Sequence, residues 1–274
     1  MILRRAFLSA FLLCALTACS STSDKEEVAV ETATVEDLYE KASKAMDAEN
    51  YVEATKFFEE VERQHPYSKW SRRAQLLGAY SSYLDQRYEE AVVSLDRYIQ
   101  LHPGADDVDY AFYLKALCFY EQISDVRRDQ DMTVQAVKAL NTLIQRFPNS
   151  EYSRDAMLKR DLTLDHLAGK EMEIGRYYLN RGHVNAAINR FRIVAIHYQT
   201  TTHVAEALHR LVEAYVTLGL KQEAYQVASV LGHNYPGSKW YERSYALLDD
   251  EQRQKIIDDR GIVERTLDTL LKPD

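Results

Sequence analysis

Eight His, three Cys and 19 Tyr are the side chains of this 274-residue chain whose chemistry could ligate, attack or recognise. Spacing removes most of the His from catalysis. His197 and His203 fit the H-x5-H half of a zinc site, but no Cys pair completes it. His65 and His102 stand immediately before a proline, at a position that Phe147, Tyr198 and Tyr235 also take, so their role is structural. Cys118, inside Ala116-Leu117-Cys118-Phe119, has no base near it in sequence and is expected to be a small buried hydrophobe. Acid pairs such as Asp106-Asp107 and Asp249-Asp250 fall at helix ends, where capping explains them. The chain has no G-x-x-x-x-G-K-[ST], G-x-G-x-x-G, G-x-S-x-G or H-E-x-x-H motif. No residue can be named for an enzyme, a metal site or a bound cofactor.

Cys19 is different. Met1-Ile2-Leu3-Arg4-Arg5 forms a positive start, and the apolar run from Ala6 to Ala18 that follows is far short of the ~20 residues a membrane-spanning helix needs. Leu16-Thr17-Ala18-Cys19 looks like a bacterial lipobox. Such signals are cut before the Cys, whose thiol receives a diacylglyceryl group and whose new amine is acylated. More than one chain is what makes such an anchor stable. By resemblance to bacterial lipoprotein sorting, Ser20 in place of Asp implies transfer to the outer membrane of a Gram-negative bacterium, on its periplasmic face. Residues 1–18 are therefore expected to be a signal peptide, and 19–34 a lipidated, polar and acidic tether. With Cys14 in the signal and Cys19 acylated, Cys118 has no disulfide partner within the chain.

The elements behind these residues follow from composition and repetition. The chain carries 34 Lys+Arg against 42 Asp+Glu, a net charge of −8, and 46% hydrophobic residues. That is a foldable composition, and its acidic balance argues against nucleic-acid binding. Nine Gly and five Pro point to helices rather than a turn-rich β fold. A stop signal recurs at His65-Pro66, His102-Pro103, Phe147-Pro148 and Tyr235-Pro236, with Tyr198-Gln199 as a degenerate member. Twelve residues before each stop lie Ala54, Ala91, Ala136, Ala187 and Ala224. Phe58, Leu95, Leu140, Phe191 and Ala228 lie eight before, and Val61, Tyr98, Leu143, Val194 and Leu231 five before. These offsets share one helical face.

A preceding helix in each unit has a small residue at Ala42, Ala79, Ala116, Gly175 or, less small, Val212. Paired helices in units of about 34 residues follow tetratricopeptide logic. The expected fold is all-α: a superhelical solenoid of about five helix pairs with a C-terminal capping helix. Units 1–3 occupy 35–148, and units 4–5 with the cap occupy 149–274. The third unit carries a charged insertion, Ser124–Asp131, and the fourth opens on a helical stretch from Glu151 to Asn180 that could break near Gly169. After Pro236, 239–248 and 251–271 have the pattern of closing helices.

In a solenoid the first helix of each pair lines the concave wall. Offsets of −3, +1 and +4 from the small residue give Tyr39, Ser43 and Met46, then Leu76, Tyr80 and Tyr83, then Tyr113, Leu117 and Tyr120, with Tyr110 a turn earlier. In the last two units the same offsets give Met172, Arg176, Leu179, His209, Glu213 and Val216. A Tyr-lined N-terminal half is thereby expected, formed by Tyr39, Tyr80, Tyr83, Tyr110, Tyr113 and Tyr120. Tyrosine suits an extended peptide, because it offers apolar area and a polar tip at little entropic cost.

Several segments together resemble the BamD (YfiO/ComL) family, lipoproteins of the outer-membrane β-barrel assembly machine. Asp96-Arg97-Tyr98-Ile99-Gln100-Leu101-His102-Pro103 is similar to that family's D-R-[FY]-I-x-L-[NH]-P repeat ending. Asp109-Tyr110-Ala111-Phe112-Tyr113 resembles its D-Y-x-x-Y helix, and Asp125, Arg128, Asp129 and Asp131 its charged insertion. Tyr177, Tyr178, Arg181, Gly182, Asn189 and Arg190 match its Y-Y-x-x-R-G…N-R segment. The resemblance implies a non-catalytic periplasmic scaffold. Its C-terminal repeats would dock on the last POTRA domain of the barrel subunit BamA beside other assembly-machine lipoproteins, with Arg190 in that contact. Its N-terminal repeats would bind the C-terminal, aromatic-ended signals of unfolded outer-membrane proteins. The helix after Asp249 is longer than in better-known members. Two alternatives have different chemistry. A periplasmic tetratricopeptide lipoprotein organising cell-envelope synthases would not need the charged insertion, and a murein-cleaving transglycosylase would need a lysozyme-like domain for which no chain is left.

Overall fold

Each stop signal becomes the same backbone turn. His65, His102, Phe147, Tyr198 and Tyr235 cap their helices with φ between −126° and −135°, and each donates its N–H to the carbonyl four residues back. Each of their own carbonyls then accepts from the N–H three residues on, at Ser68, Ala105, Ser150, Thr201 and Ser238. Tyr198-Gln199 makes this turn without proline, so the proline ends the helix but does not shape the corner. Ser68, Ser150 and Ser238, two residues past the proline, accept a hydrogen bond from the first turn of the next helix and so start it.

The computed structural model describes residues 33–258. Twelve helices are found among them: α1 (Val35–Asp47), α2 (Tyr51–Gln64), α3 (Lys69–Leu84), α4 (Tyr88–Leu101), α5 (Val108–Tyr120), α6 (Asp131–Arg146), α7 (Glu151–Asn180), α8 (Val184–His197), α9 (Val204–Thr217), α10 (Lys221–Asn234), α11 (Lys239–Leu247) and α12 (Asp250–Asp258). No strand occurs among the described residues. Sequential helices pack in pairs, and first helices also touch one another (α1 on α3, α3 on α5, α5 on α7, α9 on α11). This is a tetratricopeptide-like all-α stack. The signal peptide, the tether up to residue 32 and the end of the closing helix lie outside the described residues.

Burial follows the repeat register. Every residue at the three second-helix offsets is at most 1% exposed, from Ala54, Phe58 and Val61 through to Ala224, Ala228 and Leu231. Within pairs, the turns at Glu49, Gln86, Gly182 and Gly219 all need a positive φ, between 58° and 75°. Two of the four positions are glycine, where that conformation is free of Cβ strain. Helix α7 does not break at Gly169. It runs 30 residues, about 45 Å, because Gly169 serves close approach rather than a kink. A Cβ there would lie 3.3 Å from both Val126 Cγ1 of the insertion and His203 Nε2.

Gly175 is tighter still. A Cβ built on it falls 2.4 Å from Cε1 of Phe191, which is wholly buried in the C-terminal core. Helix propensity alone favours Ala over Gly by about 1 kcal/mol in a helix interior. Overpacking a fixed core costs about 1–3 kcal/mol, so the steric effect wins. Gly175→Ala is therefore expected to lower the urea midpoint. Gly232→Ala, whose Cβ meets the ring of half-buried Tyr241 at 2.5 Å, should cost less because that ring can swing outward. Equal midpoints for native and Gly175→Ala chains would refute this packing.

Candidate functional site

Four of the six groove tyrosines are brought into one ladder, together with two that the register did not name. Ring centroids run Tyr88–Tyr83 at 5.8 Å, Tyr83–Tyr80 at 6.3 Å and Tyr80–Tyr110 at 6.5 Å. They continue Tyr110–Tyr152 at 5.3 Å and Tyr152–Tyr113 at 5.2 Å. Helices α3, α4, α5 and α7 each contribute, so the ladder exists only when the second, third and fourth units are stacked. Aromatic pairs at such separations contribute roughly 0.5–1.5 kcal/mol each beyond the area they bury. All six of these tyrosines are half-buried.

Tyr152 was missed because the offsets were counted from Gly175, near the far end of α7, and passed over that helix's first two turns. Tyr88 opens the second helix of its pair, where the search did not look. Two of the named six stand apart from the ladder. Tyr39 packs on Phe58 at 5.7 Å and Trp70 at 4.7 Å. Tyr120 lies under Lys159 Nζ at 5.2 Å, and Lys159 pairs with Asp155 at 3.3 Å. Asp155 in turn accepts from the Tyr113 hydroxyl at 2.6 Å, so the link from Tyr120 to the ladder is polar.

The −3 offset proves to be a stacking position rather than an open wall. Leu76, Met172 and His209 are buried there. The reason is contact with the next first helix. Tyr39 meets Trp70 of α3, Tyr113 reaches Asp155 of α7, and His209 bonds Ser244 Oγ of α11 at 2.9 Å. The +1 and +4 positions, except exposed Val216, are half-exposed. In the fourth and fifth units that wall is charged. Glu173 pairs with Arg176 at 2.6 Å, Arg176 with Glu206 at 3.2 Å, and Arg210 with Glu213 at 2.8 Å.

Arg190, on α8, pairs with Glu171 of α7 at 3.0 Å and keeps 38% of its side chain exposed. It is thus an oriented charge and not merely a solvated one. Tyr177 is exposed, with Arg181 stacked over its ring at 4.8 Å. The insertion Ser124–Asp131 folds on itself through Asp125, whose carboxylate accepts from the Arg127 N–H at 2.8 Å. It is fastened to α7 by Lys170 Nζ donating to the Arg128 carbonyl at 3.1 Å. Cys118 is wholly buried, its thiol pushed up to about 12 by burial, which makes it a poor nucleophile. His203 turns toward Asp165 at 3.6 Å and Gly169, while His197 is exposed at the end of α8. His102 Nε2 bonds Gln75 Oε1 at 2.9 Å, as a structural residue should.

Burial raises five of the ladder phenols above their ordinary value. Desolvation, aided by Glu121, pushes Tyr83 up to about 12, and burial raises Tyr88, Tyr110, Tyr113 and Tyr152 as well. For Tyr83 the sign is unambiguous. Below the ordinary value of 10.0 the phenol is neutral in folded and unfolded chains alike. Above it the unfolded chain ionises first, so stability falls as pH rises from 10 toward about 12. Tyr83→Phe should shrink that alkaline loss in urea titrations. A Tyr83 phenol that ionises at its ordinary value, seen by difference absorbance against Tyr83→Phe, would contradict the burial.

Residues 31–231 match the model of the YfiO family, described as outer membrane lipoprotein. The chain is 47% identical over 258 residues to the outer membrane protein assembly factor BamD of Caulobacter vibrioides, covering 93% of this chain and 85% of that one. It is 46% identical over 247 residues to the BamD of Rickettsia prowazekii, covering 89% and 97%. Among solved structures, the tetratricopeptide domain of P58(IPK) aligns with a TM-score of 0.41 at 14% identity, over 86% of this chain and 64% of that one. With a repeat stack, a matched family model and relatives at this identity, the chain belongs to the YfiO family of outer membrane lipoproteins, the family of the assembly factor BamD.

Proposed function

We propose that the chain is a non-catalytic scaffold of outer-membrane β-barrel assembly, held at the periplasmic face of the outer membrane by lipid on Cys19. The relatives named as outer membrane protein assembly factors supply the role. The observation that carries the mechanism is the tyrosine ladder. It is a row of half-buried rings on the second to fourth units. An unfolded barrel strand alternates apolar and polar residues. Its apolar side chains stack on the rings while its backbone hydrogen-bonds to the phenol tips, which is recognition tolerant of sequence. The client signal is read here, at Tyr80, Tyr83, Tyr110 and Tyr113, with Tyr39 and Tyr120 flanking.

The C-terminal repeats take the other partner. Their wall is built of alternating charges, which set register and orientation in a protein–protein contact rather than binding a hydrophobic strand. Arg190 keeps 38% of its side chain exposed while Glu171 holds one of its guanidinium nitrogens, a geometry that leaves room for a second carboxylate on a POTRA domain of BamA. Among the described residues no helix is long and apolar enough to cross a membrane, and the acyl chains on Cys19 are the attachment.

Photo-crosslinkers at Tyr83 and Arg190 in cells should capture nascent barrel proteins at the first and BamA at the second. Exchange of the two products, or neither, would overturn the division of labour. Tyr80→Ala with Tyr83→Ala should weaken client-peptide binding at least tenfold with helicity retained, and unaltered affinity would remove the groove from the mechanism. Cys19→Ser should lose palmitate labelling and leave the outer-membrane fraction. A variant that still fractionates there would sink the lipid anchor.

A further inference from the structure

The hollow between α8, α9 and α10 has lost what crosses the same place in the earlier units. It is a cavity of about 250 Å³, with Ala195, Ile196, Leu208, Leu211, Val230 and Arg192 among its walls. The matching hollow between α2, α3 and α4 holds about 40 Å³, and Glu62 and Arg97 pair across it. Counted from the stop turns, those two correspond to Ala195 and Val230. One unit on, Asp96 and Lys115 pair at 2.5 Å; by stop turn and small crossing residue they correspond to Arg192 and Leu211. In the fourth unit Glu171 and Arg190 pair at 3.0 Å, and they correspond to Leu208 and Val227. Three charge pairs thus tie neighbouring helices at these positions, and the last hollow keeps none of them. One charge survives. Arg192 is half-buried and meets no carboxylate among the described residues.

An apolar cavity of about 150 Å³ admits a benzene ring, so this larger one takes two aliphatic side chains. A half-buried guanidinium on its wall calls for a carboxylate, because an unpaired charge out of water is costly. The occupant must therefore bring aliphatic side chains and an acid together. Residues 259–274 lie outside the described residues, and their sequence has that chemistry. Val263, Leu267, Leu270 and Leu271 recur at spacings of three and four, with Glu264 and Asp268 along one edge of the same stripe.

The segment is within reach. It follows α12, whose Gln252 Nε2 donates at 2.6 Å to the Lys221 carbonyl at the start of α10. Val230 and Asn234, which line the cavity, lie about 14–20 Å further along α10. Ten residues lead from Asp258 to Asp268, and extended chain of that length spans up to about 33 Å. A tethered segment also meets its site at an effective concentration that a separate partner does not match.

We propose that residues 262–271 lie in this hollow as a strap from α8 to α10, with Leu267 and Leu271 in the cavity and Asp268 on Arg192. The strap ties neighbouring helices where the charge pairs of the earlier units are missing. Its surface is distinct from the terminal face that a capping helix covers.

The test uses the full chain, exported and oxidised in the periplasm, carrying Ile196→Cys with Leu267→Cys. Cys118 is wholly buried and does not compete. Non-reducing gels should show a disulfide within one chain, at about ten times or more the yield of Ser94→Cys with Leu267→Cys, a pair placed in the matching hollow of the second unit. Adding Arg192→Asp should cut that yield about fivefold, and adding Asp268→Arg to it should restore the yield. Circular dichroism of the purified variants checks that helicity is retained. A yield equal to the Ser94 control, or one unmoved by Arg192→Asp, overturns the strap. A disulfide formed only between two chains overturns it in favour of a second copy. Capture of Ile196→Cys by another envelope protein in place of Leu267→Cys overturns it in favour of a separate partner.

Discussion

Every other feature of this molecule depends on the burial of one stripe, repeated five times, on the second helices of the pairs. Ala, then Phe or Leu (Ala228 in the fifth unit), then an aliphatic residue or Tyr98 occupies the same three offsets, and each is at most 1% exposed. The alanine lets the helices approach, and the two larger side chains fill the space beneath the first helices. Once that stripe is buried, the rotation of every first helix about its axis is fixed, and so is the direction of its +1 and +4 side chains. Tyr80 and Tyr83 face Tyr110 for this reason, and not through any preference of tyrosine for tyrosine. At the fourth unit the second-helix ring is Phe191, and the first helix must yield its Cβ entirely, hence Gly175.

From that constraint follows the division between the two ends. The same +1 positions that hold Tyr80 in the second unit hold Arg176 and Glu213 in the fourth and fifth. The scaffold is repeated but its exposed chemistry is not. Half-buried phenols raised by burial make an uncharged wall in the second and third units. Paired charges offer the opposite, a wall that is costly to approach without complementary charge. A single chain therefore carries two walls of opposite chemistry on one repeated scaffold.

How much of this was legible in the sequence depended on whether the information was periodic. The stop turns, the buried stripe and the small crossing residues repeat, so spacing alone located them, and Tyr198 shows that even a unit lacking its proline kept the turn. What spacing could not locate was anything lying in an insertion. Tyr152 belongs to the extra turns of α7, which have no counterpart in the other units, and a register counted from Gly175 passes over them. The −3 positions misled for a different reason. Their contacts are with the following unit, and a pattern within one helix carries no information about where the next one is placed. His209 on Ser244 and Tyr113 on Asp155 are contacts of that kind, 35 and 42 residues apart.

Helix α7 shows how an insertion becomes function. A first helix of ordinary length would begin near its small residue and leave the third unit's open face to solvent. By starting at Glu151, α7 lays its first turns across α5 and α6 before it pairs with α8, and so serves two units in succession. Its early face supplies Tyr152, Asp155 and Lys159 to the aromatic wall, and its late face supplies Glu171 to Arg190 and Arg176 to the charged wall. The insertion Ser124–Asp131 is fastened to α7 between these faces, through Val126 at Gly169 and Lys170 on the Arg128 carbonyl. A helix of about 45 Å with an unbroken hydrogen-bond ladder is stiff over that length. The distance and angle between the two walls are therefore set by one rigid element rather than by a hinge. Glycine at 169 could have been a kink, but the helix runs on through it, and the missing Cβ instead admits Val126 and His203 to close approach.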